Sequence, residues 1–318
     1  MVSVAALDIY YTNLQVFTRN FECTNAVTND IEELVNGQLG DSATDQEKAF
    51  VWQCGDVDIL LAGPPCQGHS NLNNHTRRQD ERNVLYERVA RFVELARPTH
   101  VLIENVPSVI HDKQRAMHRT VDVLVRLGYK VDSGMVDLAD VGVPQRRQRH
   151  VVVASLTKTP SIGNIVRQHR VNNIRSVMWA IGDLQAPRVD GIFDTPASIS
   201  ETNRRRIDYL HDHDLYDLPN HQRPKCHADG NSYPSMYGRI KPDECAQTIT
   251  GGFASPGQGR FVHPTQRRTL TSHEAARLQF FPDFFDFSSV KTRKALSKMI
   301  GNAVPMKLSY MFCLDFLA

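Results

Sequence analysis

Through its first half the 318-residue chain alternates short apolar runs with amphipathic stretches, and few folds accept that alternation. The runs are "VSVAALD", which ends at Asp8, then "DVDILLAG", "THVLIENV", "YKVDSGMVD" and "RHVVVASL". Between two of them, Leu85, Val89, Phe92, Val93 and Ala96 recur at the spacing of one helix face, and Pro98 stops the pattern. Met117, Val121, Leu124 and Val125 repeat the idea, with Gly128 as the expected C-cap. Strands that alternate with helices predict an α/β domain with a mainly parallel sheet covered by helices.

The second run breaks off at "GPPC". Two prolines fix the backbone and remove two amide donors, so the strand cannot continue. Cys66 is then expected on the loop at the strand's carboxyl end, the edge of an open α/β sheet where ligands bind. Two readings of Cys66 stay open at this point: a working thiol, or a small residue buried at a strand end.

The rhythm fades after about residue 157, and up to about residue 266 the chain is polar and rich in Pro, Gly, His and Asn. That is too long for one loop in a compact domain, so it predicts a second, smaller domain. A helix is expected again at "TSHEAARLQFF", opened by a capping box of Thr271 and Glu274, with a last helix after "GNAVP". The expected division is residues 1–157, 158–266 and a return to the first domain over 267–318. Lys and Arg number 37 against 35 Asp and Glu, so clustering matters more than the net charge of +2. Arg204, Arg205 and Arg206 form one such cluster, readable either as a nucleic-acid contact or as a solubilising helix face. Six scattered cysteines without a C-x-x-C pair predict neither a disulfide framework nor a zinc site, and fit the cytoplasm. The start lacks the pattern of a signal peptide, and no run approaches the roughly 20 apolar residues of a membrane span.

Five blocks occur in a telling order: "GPPCQGHS" (63–70), "ENV" (104–106), "QRRQR" (145–149), "RTLTSHEAARLQFFP" (268–282) and "GNAVP" (301–305). Together they resemble the signature blocks of the DNA cytosine-5 methyltransferases of bacterial and phage modification systems, across nearly the whole chain. The resemblance implies a Rossmann-like S-adenosylmethionine-dependent methyltransferase fold, with a target-recognition domain in the poorly patterned interval. It implies transfer of a methyl group to carbon 5 of a cytosine flipped out of double-stranded DNA, and a cognate restriction endonuclease as a companion.

The chemistry accounts for the residue types. Carbon 5 of cytosine is a poor nucleophile until a thiolate adds at carbon 6 and breaks the ring's aromaticity. Cysteine suits this step, since a free thiol with pKa of about 8.5 is already partly ionised at neutral pH. Cys66 is therefore the implied nucleophile. The addition drives negative charge onto N3, which makes Glu104, at the end of the neighbouring apolar run, the implied acid. Of Arg147 and Arg149, one is expected to orient the cytosine O2 and hold Glu104, and the other to support the loop or phosphates. Gln67, Ser70, Arg77, Arg78 and Arg82, in a polar stretch expected to close over DNA, are implied DNA contacts, as are Thr248 and Thr250.

For the methyl donor, S-adenosylmethionine, the resemblance implies Asp8 at the ribose, Ile9 on the adenine, and Asp30 with Ile31 at the adenine amine. Gly63, Pro65, Leu85, Asn302 and Val304 complete that set; no metal is expected. It also implies a strand with a glycine-rich turn ahead of "VSVAALD", lying between the Asp8 strand and the Cys66 strand. No such turn precedes that run in these residues. The expectation is that coding sequence upstream of Met1 supplies it, failing which a second polypeptide does, failing which the chain is a decayed DNA-binding relic. A transfer-RNA methyltransferase is the other enzymatic reading, although its Cys-Phe-Thr signature is missing here.

Overall fold

A computed structural model describes residues 2–64, 85–111, 115–184, 191–225, 228 and 235–318. In chain order the elements begin β1 (Ser3–Asp8), α1 (Tyr11–Asn20), β2 (Cys23–Thr28), α2 (Ile31–Leu34) and α3 (Asp45–Cys54). They continue with β3 (Ile59–Ala62), α4 (Leu85–Ala96), β4 (His100–Asn105), α5 (Ala116–Arg126) and β5 (Lys130–Asp137). Next come β6 (Gln145–Arg146), β7 (Gln148–Ser155), α6 (Ile162–His169), α7 (Val177–Ile181) and α8 (Gly191–Asp194). The last are α9 (Glu201–Asp212), β8 (Ala246–Gln247), α10 (Ser272–Leu278), α11 (Arg293–Asn302) and α12 (Met306–Leu317).

The chain forms two compact units. The first holds residues 1–137, 148–169 and 308–318; the second holds 138–147 and 170–307. These limits differ from the expected 157/158 and 266/267. The "QRRQR" turn belongs half to each unit, because Gln145 and Arg147 bond to the segment around Ile249 and to the α10 and α11 ends. The same bonds keep α10 and α11 in the second unit. Only α12 rejoins the first, where Phe316 stacks on His100 with ring centroids 4.6 Å apart.

In the first unit, β3 and β4 run parallel, and β7 runs antiparallel between β4 and β5, giving the order β3-β4-β7-β5. The sheet is thus mixed, with one parallel and two antiparallel pairings, where a mainly parallel sheet was expected. The connection of residues 138–147 carries no crossover helix, so β5 and β7 must meet as antiparallel neighbours. β1 and β2 pair in parallel as a separate two-stranded sheet. Residues of β1 (Ala5, Leu7) and of β3 (Leu60) nevertheless pack on one apolar cluster built on Phe50 of α3 and Phe92 of α4. Each of these two strands has one edge with no strand partner among the described residues.

Local chemistry explains the helices. Thr44 caps α3 through a capping box with Glu47. Glu47 also accepts Nε and Nη2 of Arg91 at 3.0 and 2.8 Å, fastening α3 to α4 inside the protein. α4 ends where Arg97 turns left-handed before Pro98. α5 ends in a Schellman pattern: Gly128 sits at φ 89°, and Tyr129 N–H donates to the Leu124 carbonyl at 3.1 Å. β2 and helices α1 and α3 carried no recognised apolar pattern; "CTNAVT" is a strand because β1 pairs with it in register from Ser3↔Cys23 to Asp8↔Thr28.

In the second unit, β6 pairs in parallel with β8, and the capping box of Thr271 and Glu274 opens α10 as expected. Glu274 is buried and receives both Nη groups of Arg268 at 2.7 and 2.6 Å. Gly301 answers to close packing: a Cβ there would run into the backbone of Thr250 and Gly251. The arginine cluster lies on α9 and is spent locally. Arg204 bonds the Arg267 carbonyl, Arg205 pairs with Glu201, and Arg206 bonds Gln222 and Asn203. Those contacts favour the helix-face reading. Among the described residues no helix is long and apolar enough to cross a membrane.

Candidate active site

The carboxyl ends of β3 and β4 bring three expected residues together in the first unit. The parallel register Ala62↔Ile103 sets Gly63 beside Glu104. Among the described residues, a Cβ on Gly63 would meet nothing nearer than Glu104 Oε2, at 3.8 Å, which sets the carboxylate beside the end of β3. Arg149, at the start of β7, forms an ion pair through Nε with Glu104 Oε1. Burial pushes the Arg149 guanidinium down from its usual range, opposed by the charge and hydrogen bond of Glu104. This is a fixed pair of carboxylate and planar donor at a sheet edge, suited to a base with adjacent acceptor and ring nitrogen.

Two neighbours went unrecognised in the sequence. Asn105 is buried and donates from Nδ2 to the Pro64 carbonyl at 3.0 Å, while its Oδ1 accepts Val106 N–H at 2.7 Å. His150, opposite Asn105 on β7, is buried too, and burial together with the nearby His118 pushes it below the usual histidine range. Both follow a charged motif residue in the chain, which hid them. Cys66 lies outside the described residues, as do Pro65, Gln67, Ser70, Arg77, Arg78 and Arg82.

The residues expected at the methyl donor in the first unit stand at or near strand ends. Asp8 closes β1; its Oδ1 accepts Tyr10 N–H at 2.7 Å and its Oδ2 accepts Asn13 at 2.9 Å. Asp30 follows β2 and caps α2 through Glu32 N–H, with Ile31 packed on the neighbouring cluster. Ile9 is 56% exposed, free to cover a flat ring. Each carboxylate oxygen bonded here keeps a further lone pair, so these residues fit the ribose and adenine of S-adenosylmethionine. Leu85 is buried at the first turn of α4, in the core rather than on a surface. Among the described residues no cluster of His, Cys, Asp or Glu could hold a metal ion.

Arg147 belongs to the second unit, and its guanidinium does not reach for a carboxylate. It is 3% exposed and donates to the carbonyls of Ile249, Gly301 and Ala303 at 2.9, 3.2 and 3.0 Å. The work expected of two arginines is divided: Arg149 holds Glu104, and Arg147 holds backbone. Gln145 assists by donating to Leu278 O and Gln279 Oε1 and accepting from Ile249 N–H at 2.8 Å. Gln279 in turn donates to Ile300 O at 2.7 Å. Arg147 thereby ties the segment of Thr248 and Thr250 to the turn of Asn302 and Val304. Asn302 is exposed at the end of α11. Thr248 donates to Arg146 O at 2.8 Å, and Thr250 Oγ1 accepts Gly252 N–H at 3.4 Å.

The family model of the C-5 cytosine-specific DNA methylases matches residues 1–313. The chain is 46% identical over 310 residues to the type II methyltransferase M1.BsuMI of Bacillus subtilis, covering 97% of this chain and 72% of that protein. It is 33% identical over 261 residues to the type II methylase M.HgiDII of Herpetosiphon aurantiacus, covering 79% of this chain and 73% of that one. Among solved structures, the S. pombe Dnmt2 methyltransferase superimposes with a TM-score of 0.67 at 18% identity, covering 99% of this chain and 90% of its own. The Entamoeba histolytica methyltransferase EhMeth does so at 0.56 and 17%, covering 100% and 98%. These two structures share the fold.

Proposed function

Because the chain belongs to the C-5 cytosine-specific DNA methylases, we propose that Cys66, Glu104 and Arg149 carry out methylation of a flipped-out cytosine in a specific DNA sequence. The relatives are type II methyltransferases, which supports a role in restriction and modification, with a cognate endonuclease as companion, over a transfer-RNA substrate. The observation that carries the reading is the Glu104–Arg149 pair beside the carboxyl end of β3, which closes at Ala62, three residues before Pro65 and four before Cys66.

In this reading the Cys66 thiolate adds to carbon 6 of the base, and the displaced ring electrons reach N3, which takes a proton from Glu104; the carboxyl group must therefore carry or share that proton when the base is in place. Arg149 orients both the carboxylate and the base. Bound S-adenosylmethionine supplies an electrophilic methyl group to carbon 5. Carbon 5 then loses its proton to water, the carbon 6–sulfur bond breaks to release the Cys66 thiolate, and N3 returns its proton to Glu104. Asp8, Ile9, Asp30 and Ile31 hold the nucleoside end of the donor; Asn302 and Val304 belong to the same set by resemblance. The recognition domain falls within residues 170–307, and basic residues of the 66–84 segment contact phosphates.

The unpartnered edges of β1 and β3 favour one addition. A strand from polypeptide outside these 318 residues, upstream or from a second chain, completes the sheet and the donor site. The test is a duplex carrying 2-pyrimidinone at the target position, whose carbon 6 accepts a thiolate without methyl transfer. A covalent adduct with the protein that disappears in Cys66→Ser supports the nucleophile. An adduct that survives in Cys66→Ser overturns it.

A further inference from the structure

We propose that His150 is a positioning residue for Arg149 and holds it on Glu104 only while the imidazole is uncharged. Acid then releases the pair before it unfolds the protein; the consequence for methyl transfer rests on the reading of Glu104 and Arg149 as catalytic. β7 is paired on both edges, and His150 lies opposite Asn105 of β4 and Met135 of β5. Neighbouring side chains of a strand point to opposite faces. Arg149 therefore meets Glu104 on one face of the sheet, and His150 enters the other. On that other face Val152 and Ala154, next in the same row, pack with Met117 and Leu124 of α5.

His150 is 4% exposed, and its Nδ1 has no hydrogen-bond partner among the described residues. His118 of α5 stands near it, its own Nδ1 buried and equally without a partner there. Two neutral imidazoles fit such a slot, whereas a proton on His150 leaves a desolvated charge facing a second ring. The charged groups around it do not compensate. Asp137 of β5 is on the same face but two residues along, opposite Gln148, and Glu104 of β4 is on the far face. On α5, Arg115, Arg119 and Asp122 are exposed, with Arg119 paired to Glu87, and His111 in the turn 107–111 is exposed as well. Burial first and His118 second push His150 below the ordinary histidine value of 6.5.

The sign follows from that depression. The opened strand binds the proton more readily than the packed one, so the support is complete above about pH 6.5 and is withdrawn as pH falls below it. The ladder of β7 starts at Gln148, so fraying of residues 148–150 relieves the buried charge without unfolding the sheet. Arg149 lies inside that stretch and leaves Glu104 with it.

His150→Asn keeps a polar side chain that takes up no proton in this range. Single-turnover methyl transfer on saturating duplex is followed from pH 8 to pH 5, each protein relative to its own rate at pH 8. Wild type should lose at least about fivefold more of its rate than the variant by pH 5. Superimposable relative profiles overturn the proposal. Amide hydrogen exchange of the wild-type protein, corrected for the intrinsic effect of pH, gives a second measure that needs neither turnover nor a folded variant. Peptides covering residues 148–150 should exchange at least about fivefold faster at pH 5.5 than at pH 7.5, while those of 100–103 keep their protection. Equal protection of 148–150 at both pH values, or loss in both segments together, also overturns it. Should Arg149→Leu retain methyl transfer while the acid-dependent opening persists, the catalytic reading of the pair fails and the proton-sensitive support stands.

Discussion

Arg149 reaches Glu104 diagonally across the antiparallel pair of β4 and β7. Glu104 lies opposite Val151, so Arg149, two residues before it, points to the same face. Both side chains are nearly buried, at 13% and 10% exposure. If they act as a unit, Glu104→Gln should lower the single-turnover rate by roughly 100- to 10,000-fold while DNA affinity is kept. Adding Arg149→Leu to Glu104→Gln should cost little more, because residues of one unit are not additive. Losses that multiply would separate their roles.

Arg147 should behave differently. Its variant Arg147→Met leaves the buried Ile249 carbonyl without its donor and the Gly301 and Ala303 carbonyls with only the longer bonds from Gln279, a loss of about 1–3 kcal/mol by the usual cost of unsatisfied groups. Urea denaturation should show the drop, with the unfolding midpoint falling and the slope unchanged. A stable protein that has lost only turnover would return Arg147 to the catalytic role that the resemblance implies.

Two glycines make a matched pair of substitutions. Gly301→Ala drives a methyl group into the backbone of Thr250 and Gly251, where no flexible side chain can yield. It should destabilise by about 3 kcal/mol or more, in the range of severe overpacking. Gly163→Ala, inside α6 with nothing within 4 Å, should stabilise by about 0.5–1 kcal/mol. Thermal melts of both proteins check the sign of each.

The central strands β4 and β7 were legible in the sequence because they are buried and therefore apolar. The run "HVLIEN" is strand β4, with only Glu104 partly exposed. β2 was not legible: "CTNAVT" alternates half-buried and exposed positions without an apolar stripe, and its parallel partner lies twenty residues away. The unit boundaries were hidden for a related reason. Gln145, Arg147 and Gln279 look like surface residues in a sequence, yet they are buried among backbone carbonyls and decide where α10 and α11 belong. Asn105 was hidden inside a motif whose glutamate drew the reading.

Acid should unfold the protein through two buried carboxylates. Glu47 is held at about 2, mainly by its hydrogen bonds from Arg91. Burial alone would raise Glu274, but Arg268 and His263 outweigh it and hold this group at about 2 as well. Folded values below the ordinary 4.5 mean that each contributes stability above about pH 4.5 and loses it as pH falls toward 2. Each contribution is on the order of 3 kcal/mol. Denaturation midpoints measured between pH 6 and pH 3 should fall, and Glu274→Gln should flatten the dependence. A profile unchanged by that substitution would remove Glu274 from the account.

The edges of β1 and β3 that have no strand partner among the described residues make a prediction about backbone dynamics. Within β1, alternate amides face β2 and the unpartnered side, whereas β4 and β7 are paired on both edges. Unpaired strand amides are held by water alone, so hydrogen exchange should be fast at every second residue of β1 and of β3 and slow throughout β4 and β7. A strand that enters between β1 and β3 would satisfy both rows at once, since both strands already rest on the apolar floor of Phe50 and Phe92. Supplying that strand, as the upstream polypeptide in the same chain or as a second chain, should slow exchange in β1 and β3 together and leave β5 and β7 unchanged. Donor binding measured by calorimetry should strengthen in the same sample, because Asp8 closes the strand that gains a neighbour. Protection confined to β1 would mean that the added segment pairs on one edge without bridging the two sheets.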